Sequence, residues 1–295
     1  MSQVEVLELV PEADLHVHSE WSWDASEGAM EATCRGAQEL GIRVVAFTEH
    51  ADYSKACGGA RLEVEGYLEA VESCRKSFPR LSIWTGVELG EPHRHQKEAE
   101  DVLDRGQFDL VLGSVHTVVA GGASVEISEL GPEPAMDPDA LMQSYCDELI
   151  QLIDGPIQFE VLAHLEYPRR YWPAGWPCYE SADHWKLIQE VLAAAAHRGL
   201  VLEFNTTRGG TPTRSLCPSP EVLGWWRQSG GKALSFGSDA HDPAKLAAGF
   251  KRAAELAAQA GFKPSLAQVG MWSSQPELPP PADRRPLNTR SQRFR

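Results

Sequence analysis

Six of the ten histidines lie in short motifs of one form, a few apolar residues followed by an imidazole or a carboxylate. The motifs are Asp14-Leu15-His16-Val17-His18, Thr48-Glu49-His50, Val87-Glu88, Ser114-Val115-His116, Ala163-His164 and Ser238-Asp239-Ala240-His241. Any one of these residues alone reads as an ordinary hydrogen-bonded core or surface group. Together they exceed what one ion needs, and crowded buried imidazoles and carboxylates are costly unless a cation compensates them. Imidazoles and carboxylates without thiolates suit zinc, manganese or ferrous iron in an open site, and are wrong for a closed structural zinc. Two or three divalent ions are therefore expected, with a carboxylate such as Glu88 bridging two of them. Ions about 3.5–4 Å apart can hold a hydroxide and stabilise an in-line displacement at phosphorus, so the chemistry implied is hydrolysis. Nothing supports redox chemistry. His93, His95, His184 and His197 fall outside the motifs and are read as ordinary histidines.

The elements that must position these groups are short apolar runs alternating with helical patterns. Strands are expected at Ala13–Val17, Ile42–Thr48, Leu81–Glu88, Phe108–Val115, Ile157–Ala163, Leu200–Asn205 and Ala233–Gly237. Helices are expected near 27–40, 62–78, 95–105, 138–153, 182–198, 219–229 and 243–260. Asp137-Pro138 and Asp242-Pro243 place N-caps before N1 prolines, and Gly199 and Gly261 stand where helices stop. Strand-then-helix repetition predicts an α/β fold, a parallel sheet with helices outside it; an open sheet and a closed barrel both fit. Nearly every expected strand ends in one of the motifs, and the C-terminal rim is where such folds carry their sites. On the first strand a two-residue step places His16 and His18 on one face.

Three long loops follow strands: Thr117–Met136, Glu166–Glu180 with Arg169 and Arg170, and Thr206–Pro218 with Arg208 and Arg214. A guanidinium there can grip phosphate oxygens bidentately. Residues 1–270 read as a single domain, and 271–295, rich in proline and arginine, as a disordered tail.

Composition narrows the partners. With 42% hydrophobic and 23% charged residues the 295-residue chain is an ordinary globular protein, and its net charge of −15 excludes long nucleic acid as a bulk partner. No run is long enough for a membrane helix, and the first residues carry neither a basic nor an apolar signal region, so a cytoplasmic protein is expected. Cys34, Cys57, Cys74, Cys146, Cys178 and Cys217 contain no CxxC pair and read as free thiols.

The ordered motifs, together with Ser22-Trp23-Asp24, resemble the polymerase and histidinol phosphatase (PHP) superfamily over about residues 12–260. The resemblance implies a distorted seven-stranded (β/α) barrel with a trinuclear metal site at its C-terminal rim. By it His16, His18, Glu88 and Asp239 hold one ion, Glu88, His116 and His164 a second, and Asp24, His50 and His241 a third. Asp14 is implied to orient a histidine from behind. Within the superfamily the chain is similar to the histidinol-phosphate phosphatases. The likeness rests on His164-Leu-Glu-Tyr-Pro-Arg169-Arg170-Tyr171, Glu203-Phe204-Asn205-Thr206 and Ser235–His241. It implies catalytic roles for Glu88, Asp239, Arg169 and Arg170, and substrate contacts from Arg169, Arg170, Asn205, Arg208 and Arg214. One departure is Thr207-Arg208-Gly209-Gly210-Thr211, where those phosphatases carry a glycine-leucine-arginine stretch.

The function implied is metal-dependent hydrolysis of a small phosphomonoester by a metal-bound hydroxide, with L-histidinol phosphate as the leading substrate. Alternatives are a PHP phosphoesterase acting on a nucleotide or another phosphorylated metabolite, an amidohydrolase barrel, and a non-catalytic metal-binding module. Leu110–His116 lacks the metal-bridging lysine that amidohydrolases often carry on the fourth strand.

Overall fold

Five consecutive buried residues, Ala13–Val17, form β1, at one end of a parallel sheet. The structure, a computed structural model, describes residues 10–54, 61–131, 136–209 and 216–274. Strands β2 (Val44–Asp52), β3 (Ser82–Gly90) and β4 (Leu110–Ser114) follow in order. After them a separate hairpin, β5 (Thr117–Ala120) and β6 (Ala123–Glu126), turns through Gly121 and Gly122, both at positive φ. The parallel sheet then resumes with β7 (Val161–Leu162), β8 (Val201–Asn205) and β9 (Ala233–Gly237). Beyond β9 the sheet gains two antiparallel strands, β10 (Lys263–Pro264) and β11 (Met271–Ser273). The sheet curls: Val17 forms a parallel bridge with Ala240, His18 N–H donates to the Ala240 carbonyl at 2.8 Å, and Asp239 N–H to that of His16 at 2.8 Å.

The helices lie between successive strands in the chain: α1 (Met30–Leu40), α2 (Val64–Ser77), α3 (Gln96–Arg105), α4 (Pro138–Asp154), α5 (Trp185–Arg198), α6 (Pro220–Gln228) and α7 (Phe250–Gln259). Asp137 caps α4 by accepting from Ala140 N–H, and Gly199 ends α5 in the left-handed conformation, as their positions predict. No described helix is long and apolar enough to cross a membrane.

Period-two alternation sorts the strands. Val45, Phe47, Val87, Leu89 and Val111 pack in the larger core cluster with helix residues such as Tyr67, Val71 and Leu149. The opposite face carries a small apolar cluster of Ala13, Leu15, Val44, Ala46, Leu110, Leu112, Val161 and Ala163. Continuing along that face toward the strand ends, β2 presents Thr48, His50 and Asp52, β3 presents Glu88, and β8 presents Glu203. One side of each strand thus changes from apolar to ionisable.

Several elements differ from expectation. Regular pairing in β7 is confined to two residues; before it, the Arg198 guanidinium takes the carbonyls of Gly155 and Ile157 and lies over the Phe159 ring. The helix expected at 243–260 is split. Asp242 caps only a short 3-10 turn, Pro243–Lys245, Ala247 and Gly249 take positive φ, and α7 begins at Phe250. The boundary expected after Gly270 runs into β11, whose Met271–Ser273 pair with β9; residues 275–295 lie outside the described residues.

Candidate metal centre

The ladder between β2 and β3 sets His50 directly beside Glu88, and Glu88 is the hub of the cluster. Its Oε1 lies 2.7 Å from His164 Nε2 and 3.2 Å from His116 Nε2. Its Oε2 lies 3.1 Å from His16 Nε2, 3.4 Å from His18 Nε2 and 3.2 Å from His50 Nδ1. The two oxygens of one carboxylate therefore face different sets of imidazoles. Asp239 Oδ1 stands 3.6 Å from His18 Nε2, and Asp24 lies between His50 Nε2 at 3.6 Å and His241 Nε2 at 3.0 Å. All nine candidate ligands converge, and four overlapping trios among the described residues have donor atoms close enough to share an ion. The trios are His18, His50 and His241; His16, Glu88 and His164; His16, His18 and Asp239; and His50, Glu88 and His116.

The outer ring nitrogens explain why these residues fit cations. His16 Nδ1 donates to Glu203 Oε1 at 2.7 Å, His116 Nδ1 to Asp52 Oδ1 at 3.3 Å, and His241 Nδ1 to the Asp239 carbonyl at 2.9 Å. Ser22 Oγ donates to Glu49 at 2.5 Å and so accepts from His18 Nδ1 at 3.0 Å. In the neutral ring each of these bonds keeps the proton on the outer nitrogen, so that the inner one carries the coordinating lone pair. The inner nitrogens then crowd together: His16 Nε2 and His18 Nε2 are 3.0 Å apart, and His116 Nε2 lies 3.4 Å from His164 Nε2, which also stands 2.7 Å from Glu88 Oε1. A neutral His16–His18 pair so placed cannot satisfy itself, whereas a divalent cation takes both lone pairs.

Burial lowers His16 and His116, but Glu203, Glu88 and Asp52 outweigh it and raise both rings well above their ordinary value, protons standing where a cation would. Burial pushes the Glu88 carboxyl up, but the imidazoles of His16, His116 and His50 hold it well below the usual range. Burial likewise opposes ionisation of Asp239, and Arg170, His16 and Arg208 overcome it. His18 is driven well below the usual imidazole range by burial and by the neighbouring histidines. The centre thus offers anionic carboxylates and at least one neutral imidazole.

Two residues behind the candidate ligands were not singled out as site residues from the sequence. Glu203 holds His16 with one oxygen and accepts His164 N–H at 2.7 Å with the other. Asp52 holds His116. Each lies two residues along a strand from a motif position, Asp52 from His50 and Glu203 from Asn205, and that even spacing was the available signal. Gly237 makes room for this arrangement, since a Cβ there would collide with the Glu203 carboxylate and with His16. Asp14 acts on backbone rather than on a ring, and the His16 backbone is among the groups bonded to it. Its carboxylate accepts the backbone N–H groups of Ser238 at 2.9 Å and Ala247 at 2.8 Å, tying β1 to the chain after β9, while Glu203 orients the histidine.

The centre opens into a cavity of about 110 Å³ whose walls include Trp23, Glu126, Ser128, Tyr167, Arg170, Tyr171 and Arg208. Arg170 NH1 donates to Asp239 Oδ2 at 2.6 Å. Arg208 donates from Nε to the Asp239 carbonyl at 2.9 Å, with NH2 3.1 Å from His241 Nε2. Arg169 is not among the lining residues; in the short 3-10 turn Tyr167–Tyr171 it turns away and donates to the Leu216 carbonyl at 2.8 Å. Asn205 is also outside the lining, fully buried, with Oδ1 accepting from Thr207 N–H. Arg214 lies outside the described residues.

With this geometry in view, known proteins supply an independent comparison. The PHP domain family model matches residues 14–207. A histidinol-phosphatase of Lactococcus lactis is 25% identical over 258 residues, spanning 84% of this chain and 91% of that protein. The crystal structure of a Lactococcus lactis histidinol phosphate phosphatase, complexed with zinc, L-histidinol and phosphate, superposes with a TM-score of 0.72 at 23% identity. It covers 86% of this chain and 96% of that one. A structure from Listeria monocytogenes reaches a TM-score of 0.70 at 18% identity, covering 81% and 99%. These superpositions establish a shared fold.

Proposed function

The chain belongs to the PHP domain family, and from that premise we propose that it is a metal-dependent phosphatase whose preferred substrate is L-histidinol phosphate. The curled sheet is then a distorted seven-stranded barrel, made of β1–β4 and β7–β9 and closed through Val17 and Ala240. The observation that carries the reading is Glu88, whose two oxygens face separate sets of buried imidazoles. We assign His16, His18, Glu88 and Asp239 to one ion, Glu88, His116 and His164 to a second, and Asp24, His50 and His241 to a third. Zinc, manganese or iron held there would neutralise phosphoryl charge and activate water for attack at phosphorus.

The chain's own groups do the rest. Arg170 and Arg208, both at the cavity and both beside Asp239, set fixed positive charge where phosphoryl oxygens would lie. Glu203, Asp52 and Ser22 hold the imidazole rings so that their inner nitrogens point inward. Tyr167, its ring tilted with its centroid 5.1 Å from that of His116 and 5.0 Å from that of His164, lines the cavity beside the centre. Arg169 keeps a structural part in this account and Arg170 the substrate contact.

The test is phosphate release from L-histidinol phosphate by zinc- or manganese-loaded protein, with a chelated control and a nucleoside monophosphate alongside. Chelator-sensitive turnover of L-histidinol phosphate over the nucleotide is expected. Turnover of the nucleotide alone would keep the metal chemistry and overturn the substrate.

A further inference from the structure

A second cavity plays no part in the proposed phosphatase chemistry. It offers about 360 Å³ between the chain after β2, the start of α2 and one face of α3, and it shares no lining residue with the cavity at the metal centre. Alternation along the chain explains the separation: Asp52 faces the histidines, and the next residue, Tyr53, lines the second cavity. The floor is apolar, with Leu62, Val64 and Val102 buried and Tyr53 half-buried. The Tyr53 ring lies 6.1 Å from that of His95, and its hydroxyl makes no hydrogen bond among the described residues. Burial pushes that hydroxyl up to about 12, so at neutral pH it keeps its proton and remains a donor.

Charge around this floor decides what the cavity can hold. Arg105 Nε lies 3.3 Å from Asp101 Oδ2 and its NH1 3.7 Å from Glu65 Oε2, so these groups offset one another. Lys97 and Glu98 also line the cavity, and neither belongs to an ion pair among the described residues. As consecutive residues of a helix they do not face each other, so each keeps its charge for a ligand. Arg61, just before α2, adds a second cation. We propose that this cavity binds a free α-amino acid with an apolar or aromatic side chain. Its carboxylate would lie toward Lys97, Arg61 and the Tyr53 hydroxyl, its ammonium toward Glu98, and its side chain over Tyr53 and Val102. A multiply charged phosphate would meet Glu98 and Asp101, and a polyamine would meet Arg61, Lys97 and Arg105. A zwitterion finds an opposite charge for each of its own.

The probes are L-phenylalanine, phenylacetate, which lacks the ammonium, and 2-phenylethylamine, which lacks the carboxylate. L-Phenylalanine is titrated calorimetrically into the zinc-loaded full-length protein, and the other two are measured by displacing it. Wild type is expected to bind the amino acid about tenfold or more tighter than either analogue. Glu98→Gln should weaken L-phenylalanine and 2-phenylethylamine about fivefold or more and leave phenylacetate no weaker, a split that lost packing would not produce. Arg61→Met combined with Lys97→Met should do the reverse, weakening phenylacetate and sparing 2-phenylethylamine. Affinity for L-phenylalanine within about twofold of wild type in both variants places it elsewhere and overturns the assignment. So do equal losses on all three probes, or no binding of L-phenylalanine by wild type at about 10 mM. No arm needs turnover, so the result is independent of what the metal centre hydrolyses.

Discussion

Replacing Glu203 with glutamine tests whether the centre is built from behind. The two groups that Glu203 accepts, His16 Nδ1–H and His164 N–H, are both donors at 2.7 Å, and Glu203 is 1% exposed. Glutamine has one acceptor oxygen, so one partner must face its amide NH₂, donor against donor. If His16 loses its acceptor, its ring can turn or take the other tautomer, withdrawing the inner lone pair. Burial alone would lower the basicity of His16; the carboxylates of Glu203 and Glu88 outweigh it and hold the ring well above its ordinary value. The variant weakens that support. Loss of a carboxylate behind a ligating histidine costs about 10–100-fold in metal affinity, or ~1.4–2.7 kcal/mol. The unpaired buried donor costs a further ~1–3 kcal/mol of fold stability. Zinc affinity is read by competition with a chromophoric chelator, and stability by denaturant unfolding of the metal-free protein. A folded variant with zinc affinity within about twofold of wild type would refute the reasoning.

Glu88→Ala is expected to abolish turnover while the protein stays folded; near wild-type kcat in a soluble, folded variant would sink the multinuclear reading. Arg170→Ala should lower kcat/KM by about 10²–10³, whereas Arg169→Ala acts mainly on stability by freeing the Leu216 carbonyl, and equal kinetic losses would contradict the placement. Gly237→Ala should destabilise the fold by about 1–3 kcal/mol and lower bound zinc, read by melting temperature and elemental analysis; unchanged values in both would show that the crowding is relieved cheaply. Glu148 joins α4 to the turn after β3 through His93 at 2.6 Å and through Arg94. Burial pushes its carboxyl up, but those two partners bring it below its usual value. Its contribution is therefore complete above the unfolded value, about 4.3, and is lost as pH falls through the lower folded value. The denaturant midpoints of wild type and Glu148→Gln should differ at neutral pH and converge as pH drops below that range, and a constant gap would contradict the assignment.

What the sequence revealed of the centre follows from strand geometry. The motif residues were legible because each ends an apolar run, and in β2 the face that begins with Val44 and Ala46 arrives at His50 two steps later. The same parity contained Asp52 and Glu203, but a carboxylate beside a motif position looks the same whether it binds a cation or steadies a ring. The further partners of Asp14, Ser238 and Ala247, lie 224 and 233 residues away and left no mark in the local sequence. Arg169 and Arg170 are neighbours, and only the conformation of the short turn carrying them decides which enters the cavity. Nor could composition foresee that Arg198 would draw off the carbonyls before β7.

The bridge between Val17 and Ala240, with Asp14 fastened to Ser238, also bears on how the protein folds and endures. The centre draws on residues from His16 to His241, so two of the three proposed ions, those that use Asp239 or His241, cannot be fully coordinated until the last parallel strand has docked against the first. Closing that loop has a high entropic cost and makes slow, long-range association the step on which assembly waits. Once loaded, the ions would be clasps across the seam. Prying the first strand from the last would first require releasing bound cations, so metal occupancy should lengthen the lifetime of the native state more than it hastens folding.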